Sequence, residues 1–178
     1  MGKSSLINKI LGEDRLIVSN IAGTTRDAVD TPIEIDGQKY IFIDTAGMRR
    51  KSKIKEEIER FSIIRAVAAV ERCDVAILLI DANEGVTDQD TKIAALPTKR
   101  EGGNIAVNKW DSVEKDEKTM NKYLKDISME LKYMEYAPKV FISAMTGQRI
   151  NRMLELIQTV YQNHALRNQH RCLNEVLI

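Results

Sequence analysis

A chain of 178 residues fits one domain of ordinary size. Its 43% hydrophobic and 30% charged residues exclude a disordered tail or a collagen-like fibre. With 27 Lys+Arg against 26 Asp+Glu, the net charge of +1 gives no overall pull toward nucleic acid or acidic membranes, so any RNA contact has to be a local patch.

The chain opens on Gly2-Lys3-Ser4-Ser5-Leu6-Ile7, which matches the second half of the phosphate-binding pattern GxxxxGK[ST]. That pattern needs backbone N–H groups to cradle phosphates, a Lys on the β- and γ-phosphates and a Ser/Thr hydroxyl on Mg²⁺. Taken alone, so short a stretch at a terminus reads better as an unstructured start. Gly23-Thr24-Thr25-Arg26-Asp27 reads as a polar turn, or as a loop whose Thr closes over a γ-phosphate and ligates Mg²⁺.

Residues 32–36 alternate like a strand and join Tyr40-Ile41-Phe42-Ile43 through Asp36-Gly37, a hairpin signal. The second run ends in Asp44-Thr45-Ala46-Gly47. These residues are a strand-end turn, or a site where the Asp holds Mg²⁺ through water and the Gly N–H meets a γ-phosphate. Arg49, Arg50, Lys51, Lys53 and Lys55 follow, as a solvated helix start or as a local RNA contact. Ile54, Ile58, Phe61 and Ile64 then recur at helical spacing.

Val75 to Ile80 is a continuous apolar run ending at Asp81, Ile105-Ala106-Val107 ends at Asn108, and Val140-Phe141-Ile142 ends at Ser143. Together with Tyr40–Ile43, these runs read as strands buried on both faces, the mark of a parallel sheet. Met120, Leu124, Ile127, Leu131 and Met134 form one helix face and are expected in the core. Ile150, Met153, Leu154, Ile157 and Tyr161 form another. Strand and helix alternate, which predicts an α/β fold with helices on both faces of the sheet. Ligands of such sheets bind beyond the carboxyl ends of the strands, where Asp44, Asn108, Asp111 and Ser143 fall.

Asn108-Lys109-Trp110-Asp111 is the most specific of these elements. A carboxylate just past a strand can accept from N1–H and N2–H₂ of guanine, a donor pair that adenine lacks, so adenine would leave it buried and unpaired. The Lys stem can lie along the base plane. Ser143-Ala144-Met145 can offer a backbone N–H to guanine O6.

Cys73 and Cys172 make no disulfide framework and fit a reducing cytosol, and His164 and His170 stand outside any zinc spacing and read as solvent-facing. No apolar run is long enough to span a bilayer, and the opening residues contain none like that of a signal peptide.

Four stretches carry a family resemblance over nearly the whole chain: Ile21-Ala22-Gly23-Thr24-Thr25-Arg26-Asp27, Asp44-Thr45-Ala46-Gly47-Met48-Arg49-Arg50-Lys51, Asn108-Lys109-Trp110-Asp111 and Ser143-Ala144-Met145-Thr146-Gly147. With them the chain resembles the translation-factor-like branch of small GTPases, and within it the second GTPase domain of the EngA (Der) family of ribosome-assembly GTPases. The resemblance implies a P-loop GTPase-like three-layer sandwich with a mostly parallel sheet. It implies a domain over 1–163, with 164–178 as the linker and first helix of a following KH-like domain. The family carries an apolar strand and the first half of the P-loop ahead of the position of Gly2, where this chain has Met1. The expectation is a GTPase domain cut at both ends, its central first strand missing and its nucleotide affinity weak.

By resemblance, the intact protein binds GTP with Mg²⁺, hydrolyses it to GDP and serves assembly of the large ribosomal subunit in the cytoplasm. Its partners would be ribosomal RNA and the protein's other domains, with no membrane involved. The nucleotide would be held by Gly2, Lys3, Ser4 and Ser5, by Asp44, Thr45, Ala46, Gly47 and Met48, by Asn108, Lys109, Trp110 and Asp111, and by Ser143, Ala144 and Met145. Lys3, Thr25 and Gly47 would serve catalysis, and Ser4, Thr25 and Asp44 the metal. Met48 stands where many regulatory GTPases have a water-orienting Gln, so intrinsic hydrolysis should be slow. The family's potassium assistance depends on an Asn of the first P-loop half, so dependence on K⁺ stays open. The alternative readings are a non-hydrolysing module that contacts ribosomal RNA or neighbouring domains, and a non-functional fragment. Ala95-Leu96-Pro97 to Gly102-Gly103-Asn104 departs from the family, which shortens the apolar strand before Asn108 and predicts a less rigid guanine site.

Overall fold

The computed structural model describes residues 2–12, 16–18, 30–43, 67–95 and 102–176. The chain divides into two compact units, Gly2–Arg72 and Cys73–Ile178.

In the first unit, α1 (Lys3–Leu11) starts directly after Gly2, whose carbonyl accepts from the Leu6 N–H at 2.8 Å. Leu6 and Ile10, one helical turn apart, bury a single face, while Lys3 and Ser5 stay exposed. The opening residues are therefore helical, which corrects the reading of an unstructured start. What that reading left out is the docking of Leu6 and Ile10.

Strands β1 (Leu16–Val18), β2 (Thr31–Ile35) and β3 (Gln38–Phe42) form an antiparallel sheet in that order, with Thr31 opposite Phe42 and Ile35 opposite Gln38. Asp36 and Gly37 turn the hairpin with φ of 51° and 78°. Both are left-handed, as the two-residue turn matching the strands' twist requires. Ile33 is buried, whereas Ile41 is 67% exposed. The reading of Tyr40–Ile43 as a parallel strand buried on both faces is thus corrected. β3 runs antiparallel, and such a sheet can leave one face to water. An ion pair between Asp30 and Arg72 ties the start of β2 to the end of a helical stretch over 67–72.

In the second unit, β4 (Ala76–Asp81), β5 (Gly103–Asn108) and β6 (Lys139–Phe141) form a parallel sheet in that order. Every residue of the central β5 is buried, as expected of a strand covered on both faces. The strand also runs two residues further back than its apolar run Ile105–Val107, taking in Gly103 and Asn104. A Cβ at Gly103 would lie 2.9 Å from the Met134 Cε, so a larger residue there would need the end of that flexible side chain to shift.

Helix α2 (Asp88–Ala94) opens on a reciprocal cap. The Thr87 hydroxyl accepts from the Asp90 N–H, and the Asp90 carboxylate accepts from the Thr87 N–H. Helix α3 (Thr119–Glu130) follows a short 3₁₀ turn at Trp110–Ser112, and a second such turn spans Lys132–Met134. Helix α4 (Ile150–Val176) packs against β5 and runs without a break through Asn163 and His164.

Ile105 and Val107 build the core on one face of β5 with Leu78, Ile80, Ile127, Leu131 and Phe141. By strand alternation, Asn104 and Ala106 take the other face. One expected core residue is corrected: Met120 is 37% exposed. The Met120–Met134 stripe is not one helix. Leu131 leaves helical geometry at φ −110° and ψ 51°, which places Met134 in a separate turn.

Candidate functional site

The carboxyl ends of β4, β5 and β6 lie together in the Cys73–Ile178 unit, with Asp81 and Asn108 paired across β4 and β5. Asn108 is buried. Its side-chain Oδ1 accepts from the Ala144 N–H at 2.9 Å, and its carbonyl accepts from the Ala82 N–H at 2.9 Å. The Ile142 N–H donates to the Val107 carbonyl at 2.8 Å, and the Trp110 N–H to the Ile142 carbonyl at 3.0 Å. One asparagine thus braces the end of β5 against the loops that follow β4 and β6.

The loop after β6 carries its own brace. The Ser143 Oγ accepts from the Thr146 N–H at 3.1 Å, and the Ser143 carbonyl accepts from the Gly147 N–H at 2.9 Å. Ala144 is buried while Met145 is 78% exposed.

Lys109 adopts a left-handed backbone, φ 61°, and leads into the Trp110–Ser112 turn. Its ammonium forms an ion pair with the buried carboxylate of Asp81. That carboxylate also accepts from the Asn83 N–H at 3.1 Å and the Asn83 Nδ2 at 3.4 Å. Asn83 Nδ2 donates in turn to the Ser112 Oγ at 2.9 Å, and the Ser112 hydroxyl donates to the Lys109 carbonyl at 2.8 Å. Asp81, Asn83, Ser112 and Lys109 therefore close a ring around the base of the loop, through the side chain of Lys109 on one side and its backbone carbonyl on the other.

Burial pushes the Asp81 carboxyl up. The hydrogen bond from Lys109, the Asn83 N–H and the Lys109 charge outweigh that push and hold it below the ordinary carboxylate value. The same hydrogen bond and charge raise Lys109 above the ordinary lysine value. Further along, the Thr119 hydroxyl and the Lys118 N–H hold Asp116 below the ordinary value, at the entry to α3.

Trp110 is 3% exposed. Its ring meets Tyr123 edge-on at 5.2 Å and Phe141 at 4.3 Å. Tyr123 donates its hydroxyl to the Ala82 carbonyl at 2.6 Å. Trp110 is thus the anchor that fixes Lys109 and Asp111 on either side of it, and its ring belongs to the core. Asp111 itself is half-buried.

Of the residues singled out from sequence, Asn108, Lys109, Trp110 and Asp111 come together with Ser143, Ala144 and Met145. Gly2, Lys3, Ser4 and Ser5 lie at the start of α1 in the other unit. Thr25, the stretch Asp44-Thr45-Ala46-Gly47-Met48 and the basic residues from Arg49 to Lys55 lie outside the described residues. Of the Ser143-Ala144-Met145 backbone N–H groups expected to offer a bond to guanine O6, that of Ala144 is engaged by Asn108 here. Sequence reading passed over Asp81, Asn83 and Ser112. A usable signal was present: β4 and β5 are parallel apolar runs that each end in a polar residue, which places Asp81 level with Asn108.

A parallel sheet whose strand ends carry these two loops, in a chain that opens on a GKSS helix start, defines the P-loop GTPase class of α/β domains. The profile of the 50S ribosome-binding GTPases matches residues 1–109, and the chain belongs to that family.

The chain is 58% identical to GTPase Der of Agathobacter rectalis over 178 residues, covering 99% of this chain and 40% of the relative. It is 57% identical to GTPase Der of Lachnoclostridium phytofermentans over 179 residues, covering 100% of this chain and 41% of the relative. The chain therefore spans about 40% of the length of these curated relatives. Among solved structures, Era in complex with MgGDPNP and a segment of 16S ribosomal RNA aligns with a TM-score of 0.63 at 27% identity, over 90% of this chain and 52% of that one. A probable GTP-binding protein, engB, aligns with a TM-score of 0.56 at 20% identity, over 91% of this chain and 93% of that one, and bears on the fold alone. Among the described residues, no helix is long and apolar enough to cross a membrane.

Proposed function

We propose that this chain provides guanine-nucleotide binding and GTP hydrolysis in a ribosome-assembly factor. The observation that carries the reading is the Asn108–Ala144 hydrogen bond, which holds the Asn108–Asp111 and Ser143–Met145 loops at one end of the parallel sheet. In this reading Asp111 accepts from the N1–H and N2–H₂ of guanine, and the stem of Lys109 lies along the base. A backbone N–H of the Ala144–Met145 segment meets O6. Asn108 acts as the brace, and Trp110 holds the loop from the core.

Lys3 would neutralise charge on the β- and γ-phosphates, with Gly2, Ser4 and Ser5 presenting the first turn of α1 to them. The amino end of a helix suits phosphate because its first N–H groups are unpaired. Ser4 offers the hydroxyl that suits Mg²⁺, and the sequence assigns Thr25 and Asp44 to the same ion. Mg²⁺, when bound, supplies positive charge against the triphosphate. Gly47 would meet the γ-phosphate beside Thr45, Ala46 and Met48. Met48 has no amide with which to orient water, which supports a slow intrinsic rate. The large ribosomal subunit is the proposed partner, reached in the cytoplasm. Residues 1–163 are read as the GTPase part and 164–178 as the linker and start of the next domain.

The test is competition. In the protein at the length of its curated relatives, GDP should displace a fluorescent guanine nucleotide while ADP at a thousandfold excess does not. Phosphate release should depend on GTP, on Mg²⁺ and on Lys3. Equal displacement by GDP and ADP would overturn the guanine reading, and GTP binding without phosphate release would leave a non-hydrolysing module.

A further inference from the structure

We propose that Asp81 is a positioning residue for the guanine site: by holding the Lys109 ammonium it keeps Asp111 unpaired for the base. The inference rests on the guanine-site reading above and deepens it. Asp81 is buried at the end of β4, and a buried carboxylate requires a charge partner and filled acceptor positions. Lys109 supplies the charge partner at Oδ2, and Asn83 donates to Oδ1. The left-handed backbone of Lys109 and the Ser112 bond to its carbonyl fix the point from which the lysine side chain departs.

The arrangement answers a problem built into the motif itself. A lysine and an acceptor carboxylate stand two residues apart on one tight turn, and a mobile ammonium would pair with Asp111. Guanine would then have to displace it before its own N–H donors could reach the carboxylate. Asp81 presents a more buried, and hence less screened, carboxylate on the β4 side of the loop. With the head group captured there, the stem of Lys109 is held before any base arrives, which lowers the ordering cost of binding. Asp81 acts only through Lys109. Asn83 and Ser112 act one step further out, by keeping the turn and the carboxylate in register.

The experiment is a double-mutant cycle on GDP affinity and release rate in the protein at the length of its curated relatives. Asp81→Asn should weaken GDP about tenfold in the otherwise unmutated protein and leave affinity unchanged in a Lys109→Met background, because the partner it positions is gone. A purely structural role for Asp81 would give the same loss in both backgrounds, and that result overturns the proposal, as does no loss in either. Thermal unfolding followed by Trp110 fluorescence separates a folding defect from a binding defect. Should Asp81→Asn fail to fold, the exposed Asn83→Ala decides instead, since its side chain donates to the Asp81 carboxylate: a loss of about threefold that disappears with Lys109→Met supports the positioning role, and an unchanged affinity overturns it. Guanine over adenine preference of the unmutated protein is measured alongside. If that preference is present while the cycle shows no coupling, the positioning role alone fails. If it is absent, the site reading fails and the role falls with it.

Discussion

The two units of this chain handle their strands in opposite ways. In Cys73–Ile178 the central strand β5 is buried along its whole length, and the loops at its end are braced by Asn108, Ser143 and the Asp81 ring. In Gly2–Arg72 the three strands run antiparallel, and β3 alternates between exposed and half-buried residues. A parallel sheet with both faces covered can hold a base-recognition loop from below, because polar ends of adjacent strands arrive at the same level. A sheet open to water offers no such platform. The contrast lies in what each sheet fixes: the second unit holds polar side chains at its strand ends, and the first leaves the helix start at Lys3 exposed.

The sharpest way to break that contrast is at Asp111. Asp111→Asn replaces an acceptor for two donors by an amide with one accepting atom. Loss of one charge-assisted bond at about 1.5–3 kcal/mol predicts GDP binding weaker by about one to two orders of magnitude. Xanthosine diphosphate, with a carbonyl in place of the amino group, should gain. Titration calorimetry with the two nucleotides checks this, and an unchanged order of affinity refutes it.

Next comes the difference in packing. Leu131→Ala removes a fully buried side chain from the second unit and should destabilise it by about 2–5 kcal/mol. Ile41→Ala, at a mostly exposed position of the first unit, should fall within about 0.5 kcal/mol of the unmutated chain. Denaturant midpoints for the two variants compare them directly, and equal shifts would erase the contrast.

A gain is expected at Asn104. Its amide oxygen and nitrogen are both buried with no hydrogen-bond partner among the described residues, on the face of β5 away from Ile105 and Val107. Asn104→Val keeps a β-compatible shape, removes both unmet groups and should stabilise the unit by about 1–3 kcal/mol. The signature is a raised denaturant midpoint with an unchanged slope. The strand before Asn108 is longer than its apolar run, since Gly103 and Asn104 join it and are buried. The backbone ladder is complete from Gly103 to Asn108, and the unmet groups belong to one side chain.

The smallest effect is the pH dependence of the Asp81–Lys109 pair. The Asp81 carboxyl lies below its ordinary value in the folded state. Its contribution is therefore present above the unfolded value of about 3.9 and is lost as pH falls through the folded one. Lys109 lies above its ordinary value, so its contribution is present below about 10.4 and is lost as pH rises through the folded value. Stability of the unit should be level between about pH 5 and 9 and fall on either side. Asp81→Asn should flatten part of the acid arm, with Asp116 leaving a remainder, as thermal unfolding across pH 2–7 will show.

Local spacing was enough for much of this protein. The Asp36-Gly37 turn, the strands ending at Asp81, Asn108 and Ser143, and the placing of Asn108–Asp111 and Ser143–Met145 just past their strands follow from alternation, apolar runs and turn chemistry, which act within a few residues. The helix at Lys3 was misjudged from the tetrapeptide because its reason is burial of Leu6 and Ile10, a long-range event. Ile41 and Met120 were assigned to buried faces because apolar character alone does not say whether a neighbour exists to cover it. Trp110 shows the same limit from the other side: placed in the motif by sequence, it proved to be the core's grip on that motif. The ring of Asp81, Asn83, Lys109 and Ser112 joins positions up to 31 residues apart, counted from Asp81 to Ser112. Residue order sets which groups stand at the end of each strand. Only the register of β4 beside β5 decides that Asp81 and Lys109 meet, because strand pairing turns distance along the chain into contact across the sheet.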